Sequence, residues 1–469
     1  MSNVLKRLAP EVNIRGMFIL SKIKQFSLLF GDIALLFVSL YITLYIRYSQ
    51  THVALDWQDH IYPFAIIYII WVLVFYSQNL YNLNLTKNNL RFFKTFFESF
   101  VINILIASFF FYFTPFFGIA PKTNLFLNVA VAAILLTVWR SAYNIFTAKY
   151  FLKNRIAFLG YSKEVKELIM AFKKEPQLGY ECACIVHDEP VDIADINQID
   201  IHELAHNFKK LKINTIAIHH GRNLDQETVN KLYRLIFGDV SFINLLMLYE
   251  EITAKLPLET ISKGWFLENL HESEKKIYDR FKILVDYLLA IMLGFILLAL
   301  LLPISLLIFL TSKGPIFYRQ IRVGANGKKF KIIKFRTMIN NAEVGVAQFA
   351  QKNDGRVTPF GNFLRRTRID ELPQIINVLK GEMSFIGPRP ERPEFVEELT
   401  EKAPFYPLRH LVKPGLTGWA QINYSYAGSI AENLKKLQYD IYYIKNRSLL
   451  LDATICLKTF NILLRFKGR

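Results

Sequence analysis

The stretch "YLLAIMLGFILLALLLPISLLIFL", residues 287–310, carries no charged side chain. It exceeds the roughly 20 apolar residues that a membrane-spanning helix needs. One proline, Pro303, interrupts it, and a proline inside a helix removes a backbone donor and kinks or breaks the helix. The flanks decide between a crossing and a bend. Lys275, Lys276, Arg280 and Lys282 precede the run, and "TSKGPIFYRQIRVGANGKKFKIIKFR", residues 311–336, follows it with eight basic residues and no acid. Basic flanks stay on the cytoplasmic side. The expectation is a re-entrant hairpin at about 283–310, broken at Pro303, with both ends in the cytoplasm.

The rest of the chain fits a membrane setting. Its 469 residues suffice for two or three domains, and 52% hydrophobic residues with 40 phenylalanines exclude a purely soluble protein. Four apolar runs, residues 26–46, 61–80, 99–120 and 123–139, predict four transmembrane helices within 1–150. The first is too long for a cleaved signal peptide and lacks a small-residue cleavage pattern. Lys6, Arg7, Arg15, Lys22 and Lys24 precede it, Lys87, Arg91 and Lys94 divide the second run from the third, and Arg140, Lys149, Lys153 and Arg155 follow the fourth. The other two loops carry only Arg47 and Lys122, so the N-terminus and everything after residue 140 are expected in the cytoplasm. Asp32, near the cytoplasmic end of the first run, is expected to play an interfacial, structural role.

A formal charge of +18 raises the question of nucleic acid, but the basic residues flank apolar runs and no nucleic-acid motif accompanies them. Anionic membrane lipids are the expected partner instead. Cys182, Cys184 and Cys456 fit neither a disulfide framework nor a zinc spacing and read as packed thiols in a reducing compartment.

From 151 to 270 short β-rich runs alternate with helical patterns: "RIAFLG", "SKEVKELIMAFKK", "YECACIVHD", "FKKLKINTIAIHH" and "VSFINLLML". This is the rhythm of a small parallel-sheet α/β domain. Gly160 lacks the further glycines of a dinucleotide fingerprint, which favours a scaffold or regulatory domain. His219 and His220 have no spaced partner ligands, so no metal site is expected there. After 310 the chain turns polar and basic, and its last stretch, "SLLLDATICLKTFNILLRFKGR", reads as an interfacial helix or a core-facing one.

Within this basic region "RTRIDELPQIIN", residues 366–377, sets Asp370 beside Glu371. Taken alone, "DELPQIINVLKG" reads as a helix with Asp370 near its N-cap and Pro373 in its first turn. The neighbourhood also holds Lys331, Lys334, Arg336, Arg356, Arg365, Arg366, Arg368 and Arg389, more cations than two carboxylates require. Such a surplus suits an anionic substrate with several phosphates, the alternative being a basic face toward lipid. An aspartate can attack phosphorus and form an aspartyl phosphate. A divalent ion, usually Mg²⁺, would relieve the repulsion between carboxylate and phosphate oxygens, and arginines would stabilise the charge on the transferring group.

The segment from about 275 to 469 resembles the bacterial sugar transferase family, the polyisoprenyl-phosphate hexose-1-phosphate transferases. The matching stretches are "GPIFYRQIRVGANGKKFKIIKFRTM", "RVTPFGNFLRRTRIDELPQIINVLKGEMSFIGPRPERP", "VKPGLTGWAQINY" and "YDIYYIKNRSLLLD". The whole chain is similar to the large members. That resemblance implies an α-helical transmembrane bundle (1–150), a Rossmann-like α/β domain (151–270) and a mostly α monotopic catalytic domain (271–469) with a re-entrant membrane helix. It implies transfer of a sugar 1-phosphate from a UDP-sugar to undecaprenyl phosphate, releasing UMP, at the cytoplasmic face of the bacterial inner membrane. Asp370 maps to the nucleophile, with Glu371 assisting and Mg²⁺ held by the pair. Arg389 in "GPRP", Lys334 and Arg336 in "KFRTM", and Arg365 and Arg366 are assigned to substrate phosphates. Arg368 stands where the family usually has a smaller residue. The competing readings are a non-catalytic scaffold or regulator of polysaccharide export, a transporter, and a glycosyltransferase that releases UDP. The sugar and the oligomeric state, a homo-oligomer among the options, stay open.

Overall fold

The computed structural model describes the chain except residues 1–10, 49–52, 82–89, 114–121, 151–153, 176–177, 188, 194–195, 219–225, 236–239, 271, 340–354, 425–428 and 465–469. It divides into two units, Met1–Thr253 and Ala254–Arg469. The described residues are mostly helical, with several long apolar helices and a small five-stranded parallel sheet.

In the first unit the apolar runs become helices α1 (Glu11–Tyr48), α2 (Val53–Ser77), α3 (Leu90–Phe113) and α4 (Lys122–Tyr150). Their core repeats at helical spacing: Leu36, Leu40 and Leu44 on α1, Phe64, Ile67, Trp71 and Phe75 on α2, Phe92, Phe96 and Phe100 on α3. The outward faces are apolar too, with Phe30, Tyr62, Ile69, Phe109 and Ile134 exposed. Helices apolar all round belong in lipid, and all four are long and apolar enough to cross a membrane. The third ends at Phe113, and the remainder of the run expected to reach residue 120 lies outside the described residues.

Asp32 takes a structural place inside the helix bundle. It is fully buried and paired with Arg140, which the sequence reading counted as a loop charge but which lies inside α4. The guanidinium bonds both Asp32 oxygens, donates to the Leu80 carbonyl at 2.9 Å, and lies 5.1 Å from the centre of the Tyr81 ring and 5.4 Å from that of Phe96. Burial of either charge alone would be prohibitive, so the two must fold in together.

The α/β region follows the expected rhythm: β1 (Asn154–Leu159), α5 (Lys163–Lys174), β2 (Tyr180–Val186), β3 (Gln198–Ile199), α6 (Ile201–Asn207), β4 (Thr215–Ile218), α7 (Gln226–Leu235), β5 (Ser241–Asn244) and α8 (Leu245–Thr253). All pairings are parallel, in the order β3-β2-β1-β4-β5. Ile156 and Phe158 join one apolar cluster while Ala157 and Leu159 join another, so alternate residues of β1 feed a core on each face. "VSFINLLML" splits between strand and helix at Leu245. His219 and His220 lie outside the described residues.

The second unit runs α9 (Lys263–Asn269), α10 (Lys276–Thr311), the hairpin β6 (Phe317–Val323) and β7 (Lys329–Phe335), α11 (Pro359–Thr367), a 3₁₀ turn (Ile369–Gln374), α12 (Ile375–Leu379), β8 (Ser384–Ile386), α13 (Pro393–Lys402), β9 (Gly415–Thr417), α14 (Trp419–Asn423), α15 (Ile430–Asn446) and α16 (Leu449–Leu464). The chain stays helical through Pro303, which lies inside α10. One stripe of this helix, with Ala290, Leu293 and Leu297 followed by Leu300, Leu301, Ile304 and Ile308, packs against Phe330, Ile332, Ile375, Met383, Phe335 and Leu364. Packing on both sides of Pro303 offsets its missing donor. The opposite face, with Leu288, Phe295, Leu298, Leu302 and Phe309, is exposed. The last helix, α16, combines the two readings it was given: Ile455 is buried, whereas Leu449, Leu450 and Phe460 are exposed.

Candidate active site

The acid pair does not begin a long helix. Helix α11 starts at Thr358, whose hydroxyl accepts from Gly361 N at 3.0 Å, and stops at Arg368 in the left-handed region with φ 59°. A side chain with a Cβ is strained there, and the chain turns sharply. Asp370 and Glu371 then fall in the first turn of the 3₁₀ segment, which Pro373 tightens, and α12 resumes at Ile375. Asp370 is therefore not an N-cap.

Both acids are buried, at 7% and 6% exposure, yet they are held differently. Glu371 Oε1 accepts from Lys334 Nζ and from Arg389 Nη2, each at 2.8 Å, while its Oε2 faces Arg368 Nη1 at 3.4 Å. Asp370 Oδ1 is buried with no hydrogen-bond partner among the described residues. Burial, reinforced by the charge of Glu371, pushes the Asp370 carboxyl up to about 6 against the pull of Lys334, Arg368 and Arg365. Burial would also raise Glu371, but Arg389, Lys334 and Arg368 outweigh it and hold that carboxyl well below its usual range. Burial lowers the Lys334 ammonium, with Glu371 opposing the shift. One acid is thus a fixed anion, while its neighbour holds its proton into a higher pH range.

Of the residues assigned to phosphates, Lys334 and Arg389 meet at Glu371. Arg365 lies close enough to lower Asp370 and fixes its Nε on Thr337 Oγ1 at 2.8 Å. Arg366 points outward from α11 and is exposed. Arg336 is diverted: its guanidinium donates to the Ser312 and Lys313 carbonyls just beyond α10, because β7 ends at Phe335 and the pleat no longer carries the next side chain beside Lys334. Its place in this structure is at the helix terminus, away from Glu371.

Sequence reasoning missed the role of Arg368, which the turn at its own backbone brings onto Glu371. It also missed Asn377, whose Oδ1 accepts from Ile333 N at 3.2 Å while its amide donates to Lys331 O at 2.8 Å and Glu382 Oε2 at 2.7 Å. Asn377 binds the strand carrying Lys334 to the helix following the acids. A lone amide within the apolar "IINVL" was the available signal.

Arg389 is held by close backbone packing. A Cβ at Gly415 would meet Gly387 N at 2.1 Å, and one at Gly387 would meet Lys413 O at 2.4 Å, so only glycine lets the "GPRP" and "KPG" loops touch. Behind them Arg409 donates to Arg389 O and to Asp440 Oδ2, both at 2.9 Å. Magnesium typically takes one or two carboxylates and completes its shell with phosphate oxygens and water. The Asp370 carboxylate suits that pattern, with the charge of Glu371 beside it already shared among Lys334, Arg368 and Arg389. No group of three or more His, Cys, Asp or Glu able to hold a metal occurs among the described residues.

An apolar helix packed against the elements that carry one cation-bound carboxylate and one without such partners fits a membrane-associated enzyme. The chain belongs to the bacterial sugar transferase family, whose sequence model matches residues 277–466. It is 33% identical over 368 residues, 75% of this chain and 76% of the relative, to a UDP-glucose:undecaprenyl-phosphate glucose-1-phosphate transferase of Klebsiella pneumoniae. It is also 33% identical to a protein of that name from Escherichia coli (strain K12), over 67% of this chain and 68% of the relative. A UDP-N-acetylgalactosamine-undecaprenyl-phosphate N-acetylgalactosaminephosphotransferase of Aeromonas hydrophila is 44% identical over 212 residues. That match covers 44% of this chain and half the length of the relative.

Proposed function

We propose that this protein is a phosphoglycosyl transferase that moves a sugar 1-phosphate from a UDP-sugar to undecaprenyl phosphate, as the names of its relatives describe for them. The products are UMP and undecaprenyl diphosphate-sugar, the starting intermediate of a surface polysaccharide or glycoconjugate. The observation that carries this reading is the buried, unpartnered Asp370 Oδ1 beside a carboxylate tied by three cations.

Asp370 Oδ1 attacks the sugar-bearing phosphorus, and the bond from that phosphorus to the bridging oxygen breaks. The oxygen departs with UMP, leaving an aspartyl-phosphosugar. A phosphate oxygen of the lipid then attacks the same phosphorus and returns Asp370 as carboxylate. Glu371 holds Lys334, Arg368 and Arg389 in place, where their N–H groups stabilise oxygen charge in the transition state. Bound Mg²⁺, held at the Asp370 carboxylate beside Glu371, would supply neutralisation of the diphosphate.

The test is isotope exchange between UMP and a UDP-sugar in purified enzyme with Mg²⁺ and no lipid acceptor, using UDP-glucose and UDP-N-acetylgalactosamine. A covalent relay exchanges label; a scaffold or a UDP-releasing glycosyltransferase does not. Because Asp370 must be ionised to attack and its carboxyl is raised to about 6, the exchange rate is expected to climb tenfold per pH unit below about 6 and level off above it. A rate flat from pH 4.5 to 8 would remove Asp370 as nucleophile.

The membrane placement we propose is the bacterial inner membrane, with the α/β and catalytic regions in the cytoplasm. We read α1 to α4 as spanning and α10 as embedded without crossing. Support comes from the packed stripe of α10: from Asp286 to Ile308 it covers roughly 33 Å at 1.5 Å per residue, about the whole hydrocarbon thickness. Crossing would drag a charged domain into lipid. Cysteines placed between 313 and 336 should label from the cytoplasmic side, and labelling only from outside would refute this placement.

A further inference from the structure

A cleft of about 180 Å³ opens beside the first turns of α10, among Tyr278, Lys282 and Asp286 of that helix and Ser384, Lys413 and Tyr443. Sites for drug-sized ligands begin at ~300 Å³. The cleft is therefore too small for a nucleotide sugar, whereas a single phosphate group fits.

Three cations line it, and two are already satisfied. Lys282 binds Asp452 at 2.8 Å, and Arg447 binds Glu272 at 2.8 Å and Asp279 at 3.0 Å. Lys413 has no hydrogen-bond or ion-pair partner among the described residues, although it is half-buried. A Cβ built on Gly381 would lie 3.6 Å from Lys413 Nζ and 3.8 Å from the Tyr287 hydroxyl, so the ammonium and the start of the uncharged run of α10 both lie close to Gly381. The nearby acids are engaged: Asp286 accepts from Phe385 N, and Asp452 from Tyr278, Lys282 and Tyr443. The rim is apolar, with Ile283 and Leu411 exposed and Leu284 exposed next to Ile283 on α10.

An unpaired cation, a phosphate-sized space and an apolar rim on a membrane helix together match a phosphate carried on a lipid chain. The Lys413 loop is also stitched to the loop of Arg389, through Gly415 N to Pro388 O and Ser384 N to Pro414 O, both at 2.9 Å. We infer that this cleft captures the phosphate of the acceptor lipid through Lys413, with the isoprenoid chain lying along Ile283 and Leu284. The inference rests on the proposed transferase activity and assigns a capture site apart from Asp370, where the phosphoryl group moves. The phosphate of an ordinary anionic phospholipid has the same chemistry, so the test must separate the two sources.

Full-length enzyme in phosphatidylcholine nanodiscs is given undecaprenyl phosphate and the UDP-sugar that supports exchange. Lys413→Gln is expected to raise the acceptor KM about tenfold, Lys413→Arg to restore most of it, and UMP exchange without acceptor to keep the wild-type rate. The same KM shift is expected in discs containing phosphatidylglycerol. An unchanged acceptor KM, or a parallel loss of lipid-free exchange, overturns the inference. A defect seen only with phosphatidylglycerol gives the cleft to bulk phospholipid instead. Absence of exchange in the wild-type enzyme defeats the transferase reading itself.

Discussion

Asp370→Asn is expected to lower UMP exchange by on the order of 10³-fold or more, as removal of a nucleophile does, and at the same time to stabilise the protein. The two effects share one cause. Burial makes the ionised carboxylate unfavourable, which is why the carboxyl is raised to about 6 from 3.8. A group with a raised folded value contributes stability that is fully present below its unfolded value and is lost as pH rises through the folded one. At pH 8 the wild-type fold therefore carries a strained charge. Two units at ~1.4 kcal/mol each suggest a gain on the order of 3 kcal/mol for the neutral amide. Thermal midpoints in detergent at pH 8 and pH 5 test this. The advantage of the variant should shrink toward pH 5, where the wild-type carboxyl takes up its proton. A variant less stable than wild type at pH 8 would mean that the site is not built to hold Asp370 against its preference.

The sequence alone made some of this readable, for identifiable reasons. The apolar run at 287–310 announces a membrane helix because hydropathy is a local property. Its continuity through Pro303 was not readable, since that depends on Leu300, Leu301, Ile304 and Ile308 meeting Phe335 and Leu364 from distant parts of the chain. Arg140 passed for a loop charge because its partner, Asp32, lies on another helix. Lys334 and Arg336 are two residues apart and looked equivalent, yet one belongs to the strand and reaches Glu371 while the other lies past its end and turns to the carbonyls after α10. The identity of the acid pair was legible; the division of labour within it was not, because that follows from which carboxylate the surrounding cations reach.

Glu371→Gln is expected to do the opposite of Asp370→Asn to stability. Lys334, Arg368 and Arg389 all converge on this carboxylate, which is only 8% exposed. Removing one member of a buried ion pair costs roughly 3–5 kcal/mol. Arg368 and Arg389 retain about a third of their exposure, and solvent screening reduces the loss to about 2–3 kcal/mol. Glu371 is held well below its usual value, so its contribution is present above about 4.5 and disappears only as pH falls through the depressed folded value. At pH 5 the deficit of the Glu371→Gln variant should therefore persist in full, while the advantage of the Asp370→Asn variant has shrunk to about half. Kinetics supply an independent reading, because the Glu371 charge is itself one of the causes that raise Asp370. Its removal should move the acid limb of the exchange profile below 6 even as the plateau falls. A limb that stays in place would show that the two carboxylates do not sense each other, and the contrast between fixed anion and poised nucleophile would fail with it.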